Sequence, residues 1–157
     1  MFEQWGYRAA LYLSALIAIL HWSFLIYAKL FMPQLNLVPV HEVASVLVLV
    51  GLWLLSRMAR YVGAAYYFLT TGTAVYALVQ LSKPVVNVTV VWSVATGILC
   101  LAAALILLLS KRFAREFGAE RENRPAYKKH LLHAYTALIV LVAIAGAVVD
   151  IVDFVSR

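Results

Sequence analysis

Apolar runs separated by short polar connections set the pattern of this chain: Ala9–Phe31, His41–Leu55, Tyr61–Leu81, Val88–Leu109 and Leu131–Phe154. A helix that crosses the hydrocarbon of a bilayer needs about 20 largely apolar residues. Four of the runs meet that length. His41–Leu55 is short, and adding Leu35–Val40 would lengthen it with Pro39 in the first turn, where a helix tolerates proline. Pro33, Pro84 and Pro125 all fall in connections. An interfacial reading of 35–55 is disfavoured, because Val46–Leu55 lacks the polar face such a helix requires. The pattern predicts an all-α, polytopic integral membrane bundle, one transmembrane domain over 1–157 with five transmembrane helices.

Composition supports this reading. Hydrophobic residues make up 65% and charged residues 13%, whereas an ordinary globular domain is about 45–50% apolar and about 25% charged. So few charges cannot cover a water-facing surface, so lipid is the expected neighbour. The N-terminal run reads as a retained helix, since Glu3 offsets Arg8 and no small-x-small cleavage site follows. The single cysteine, Cys100, lies inside an apolar run and forms no metal-knuckle or redox motif.

Charge then orients the bundle. The basic loop 110–130 carries Lys111, Arg112, Arg115, Arg121, Arg124, Lys128 and Lys129. With the N-terminus inside, these seven join Arg8, Arg57 and Arg60 on the cytoplasmic side, leaving Lys29, Lys83 and Arg157 outside. Ten against three supports an N-in/C-out arrangement. The net charge of +6 is therefore a topological signal, and no nucleic-acid partner is expected. Arg112 with Glu116, and Glu120 with Arg124, are one helical turn apart. The fourth helix is accordingly expected to run on to Gly118, with Phe113 and Phe117 on the headgroup boundary.

Ionisable groups inside a membrane are costly and mark candidate sites. From its cytoplasmic start near Ala9, His21 lies about 18 Å deep, against about 3 Å for His133. His41 is assigned to the opposite face. Bis-histidine haem needs both ligands at one height, and the gap of about 15 Å between His21 and His133 disfavours it. A haem shared with another subunit through His21 is compatible with the sequence, which itself requires no cofactor. His41, Glu42, Asp150 and Asp153 form a candidate hard-ligand metal set. Asp150 and Asp153 share a helical face near Gly146 and Ala147, although ion pairing with Lys29 or Lys83 explains these acids more simply. His21, Tyr66, Thr70, Thr73 and Gln80, with Tyr76 beside them, form a candidate polar path, with helix-to-helix hydrogen bonding as the plainer role.

Ala28-Lys29-Leu30, Glu42, and the apolar run through Gly51 to Arg57 and Arg60 resemble the DoxX-type small membrane proteins. The likeness covers roughly a third of the chain. The first loop is much shorter than in that family, and a fifth helix follows the basic loop. No site or activity is carried over from it.

No nucleophile elbow, HExxH or P-loop is present, which argues against a nucleophilic enzyme and leaves catalysis in general open. The expected function is a small non-catalytic accessory or structural subunit of a larger respiratory or transport complex in a prokaryotic cytoplasmic membrane. Its expected partners are lipid and other membrane subunits or further copies of itself. The alternatives are a homo-oligomeric channel or proton/cation carrier, and a haem- or quinone-binding electron-transfer subunit.

Overall fold

The computed structural model describes residues 5–31, 40–80 and 88–139, with side chains for all of these except positions 40, 73, 76, 77, 80, 88 and 89. All regular structure among them is helical: α1 (Tyr7–Phe31), α2 (Val40–Trp53), α3 (Arg57–Gln80), α4 (Val88–Leu109), α5 (Lys111–Glu122) and α6, described over 126–139. Two helices are long and apolar enough to cross a membrane, Tyr7–Phe31 and Val90–Leu109; His41–Trp53 is apolar but shorter. α3 has the length, but its tyrosines, threonines and glycines dilute its hydropathy. The fifth expected span coincides with α6 only over 131–139, and its remainder, with Asp150 and Asp153, lies outside the described residues.

The first four helices form an up-down-up-down bundle. α1 adjoins α2 and α4, α3 adjoins the same two, and α1 faces α3 across the diagonal with no close backbone approach. Small residues bring α3 and α4 together. A Cβ added at Gly97 would come within 2.9 Å of Ala74 Cβ, and Thr71 Oγ1 donates to Gly97 O at 3.2 Å. Small residues on facing helices are what permit so close an approach. On α1 the buried positions include Tyr7, Ser14, His21 and Ala28, with Ala10 and Ile17 between them. This seven-residue spacing keeps one seam of the helix inward.

The 110–130 connection is largely helical, not a loop. α4 does not continue to Gly118: Ser110 interrupts it, its Oγ accepting from Phe113 N at 3.1 Å as the N-cap of a new helix. The same hydroxyl donates to Trp5 O at 2.6 Å. α5 then turns its apolar face onto the bundle. Phe113 and Phe117 are buried, stacked on each other at 5.2 Å and against Tyr7 at 6.3 and 5.8 Å. They do not rest on the headgroup boundary, because Tyr7 and the Arg60 guanidinium, 5.3 Å from the Phe113 ring, cover them instead.

α2 ends on Leu55 at φ 60°, with Ser56 N donating to Gly51 O and Leu55 N to Leu52 O. This is a Schellman ending with a leucine in the left-handed position normally given to glycine. Cations and hydroxyls cover the carbonyls left open at helix ends. Arg124 donates to Leu55 O, Lys128 to Trp53 O at 3.0 Å, Tyr7 Oη to Leu52 O at 2.9 Å, and Arg60 to Leu107 O at 2.7 Å. The start of α1, the α2–α3 turn and α5 thus meet at one end of the bundle, so Arg8, Arg57, Arg60 and the basic connection are grouped there.

Candidate functional site

His21 reaches the bundle interior because it occupies the inward seam of α1, two heptads above Tyr7. It is 8% exposed. His41 opens α2 and is exposed. The two rings lie 5.8 Å apart. This corrects the depths expected for them: His41 is level with His21, not at the far face. The reason is the shortness of α2. Its 14 residues rise only about 21 Å from the basic end, so its first turn opens deep in the bundle.

Tyr66 of α3 closes the group. Its hydroxyl donates to His41 O at 2.9 Å and lies 3.5 Å from His21 Nδ1, at the outer limit for a hydrogen bond. Its ring is 6.5 Å from His21 and 6.2 Å from His41. With the phenolic proton on the carbonyl, the Tyr66 oxygen can accept from His21 in the Nδ1–H tautomer. Thr70, one turn on, is buried and donates to Tyr66 O at 3.0 Å. Glu42 is 7% exposed and Ser45 fully buried, its hydroxyl donating to Glu42 O. The arrangement sets a buried imidazole beside an exposed one, with the Tyr66 hydroxyl within reach of the buried ring.

Of the proposed polar path, His21, Tyr66 and Thr70 are thus brought into one neighbourhood; the side chains of Thr73 and Gln80 lie outside those described. Of the proposed metal set, His41 and Glu42 are consecutive on α2, while Asp150 and Asp153 lie outside the described residues. Among the described residues, no group of three or more His, Cys, Asp or Glu is placed to hold a metal ion.

Sequence reasoning missed two things. His21 was weighed against His133 as a partner, whereas the partner is His41. Ser14 and Tyr67, buried below the histidines at 1% and 0% exposure, were not singled out. The seven-residue spacing Tyr7–Ser14–His21 was the available signal.

No family model, curated protein or solved structure matches the chain, and the likeness to DoxX-type proteins therefore brings no function with it.

Proposed function

We propose that the protein is a five-span integral membrane protein, N-in/C-out in a cytoplasmic membrane, whose bundle centre relays protons. The observation that carries this reading is the pairing of buried His21 with exposed His41 at 5.8 Å beside the Tyr66 hydroxyl. Histidine is the side chain whose ordinary titration range lies nearest physiological pH. A proton leaving one imidazolium can be taken by the other ring, so that the pair passes a proton between α1 and α2. An ionisable residue inside a membrane is costly to keep there, which makes buried His21 a functional candidate.

The test is proton flux into proteoliposomes carrying a pH-sensitive dye and an imposed gradient. Flux in the wild type should fall at least tenfold in His21→Ala and His41→Ala, and less in Tyr66→Phe, which keeps the ring (about 1 kcal/mol per lost hydrogen bond). Flux indistinguishable from empty vesicles sinks the reading. A haem between the two imidazoles is the competing occupant. Strong visible absorbance of the purified protein, lost in His41→Ala, would replace the relay with electron transfer.

A second reading, an accessory subunit of a larger complex, draws support from α6. Only Tyr135 is buried along its described length, and Tyr127, Leu131 and Leu138 stay exposed. Such a face suits lipid or another membrane helix equally. Mass determination in mild detergent separates the two: a co-purifying membrane protein favours the subunit role, and a lone monomer argues against it.

A further inference from the structure

At and below the level of the histidines, towards the basic end, the interior holds hydroxyls that fall outside hydrogen-bond geometry. Tyr67 and Ser14 are 0% and 1% exposed, and their hydroxyls face each other across the bundle diagonal without meeting hydrogen-bond geometry. Thr96 on α4 is 6% exposed, and its hydroxyl is likewise unpartnered. Thr96 lies about 20 Å above the lower end of α4, level with His21. Buried hydroxyls are almost always hydrogen-bonded, and an unpaired group calls for a bound water or ion.

The neighbours form a connected series. The Tyr67 ring is 5.5 Å from Tyr66, which touches both histidines. Ser14 and His21 share the inward seam of α1, about 10 Å apart along the axis. That gap is more than three times a hydrogen-bond length, so direct bonding cannot span it. The core here includes the small side chains Ala10, Ala64, Cys100, Ala103 and Ala104 among larger ones such as Ile17, Leu52 and Ile106. Short side chains leave room for a solvent molecule where leucine or phenylalanine would not. The hydroxyl set is neutral and lacks carboxylates, which suits water better than a metal cation.

We infer that the bundle centre binds water at the Ser14 and Tyr67 hydroxyls, extending upward past Tyr66 to His21 and Thr96. The direction of this column, from the histidines towards the basic end, rests on the relay reading; the water binding does not. Each water accepts from or donates to a hydroxyl on at least two helices, so the site belongs to the assembled bundle.

Radiolytic footprinting of the intact protein in detergent tests this directly, because X-rays generate hydroxyl radicals from water held beside a side chain. Tyr67 should be modified at a rate approaching that of Tyr12, which is 74% exposed, and several-fold faster than Tyr135, which is buried at 6% with its hydroxyl bonded to Leu47 O. Ser14→Val, which fills the space with methyl groups, should slow Tyr67 modification several-fold while leaving Tyr12 unchanged. Tyr67 modified no faster than Tyr135 in the wild type overturns the inference, and that measurement needs no variant. Proton flux separates it from the relay: fast Tyr67 modification without flux leaves the water site standing and removes the relay. Flux with an unmodified Tyr67 leaves the relay and removes the water.

Discussion

Glu116 shows how a single half-buried residue ties two helices together. Its carboxylate accepts from Arg112 Nε at 2.7 Å and from Tyr7 N at 2.7 Å, capping the first turn of α1 from outside. The Arg112 hydrogen bond, then the Tyr7 backbone bond, hold this carboxyl below its ordinary 4.5. A depressed carboxylate contributes stability fully above 4.5 and loses it as pH falls through the lower folded value. The Tyr7 amide resonance should therefore shift with a midpoint below 4.5, and Glu116→Gln should abolish that titration. A midpoint at or above 4.5 would contradict the contact. Gly6 belongs to the same joint, since a side chain there would collide with the Glu116 carboxylate. Leu55 is the second residue of note. Its left-handed conformation costs about 1–2 kcal/mol, but its side chain is 2% exposed in the core. Removing a buried leucine costs about 2–5 kcal/mol. Leu55→Gly should thus lower the thermal midpoint despite relieving the backbone.

Among the elements, α5 depends on Ser110 more than on its own ion pairs. The Arg112–Glu116 pair is exposed at 57% and 37%, and such i,i+4 pairs contribute about 0.3–0.5 kcal/mol. Ser110 instead caps α5 and holds Trp5 O, so Ser110→Ala should destabilise by about 1–2 kcal/mol, read as a lower denaturation midpoint in detergent. Arg112→Ala should change it far less. The amphipathic spacing of α5 was legible in the sequence. Which surface Phe113 and Phe117 would meet was not, because that depended on Tyr7 and Arg60 arriving from helices distant in the chain. α6 is seated by Tyr135, which donates to Leu47 O at 2.8 Å and whose ring end fills the space over Gly51, and by Lys128 on Trp53 O. A Cβ at Gly51 would strike Tyr135 and Ala59, so Gly51→Val should release α6 from α2. Spin labels on α2 and α6 would then move apart, while unchanged separation would show that Tyr135 is not the anchor.

At the scale of the whole molecule, two gradients are superposed: charge at one end and polarity along the diagonal. In the proposed membrane reading, the positive-inside rule would put this grouped basic end on the inner side. Cysteines introduced by Arg115→Cys and Leu30→Cys should react with an impermeant maleimide from opposite sides of the membrane, and both reacting from one side would refute the topology. Native Cys100, at 0% exposure, should stay silent in both. Helical content, the four described apolar stretches and the asymmetry of charge were determined by the sequence, because each depends on residues near one another in the chain. The meeting of His21 with His41, and of Ser14 with Tyr67, was decided by tertiary structure alone. Counting residues from a membrane boundary assumes that every helix begins at that boundary, and α2 does not. The axial offset between helices determines which polar groups share a level, and packing between neighbouring helices fixes that offset.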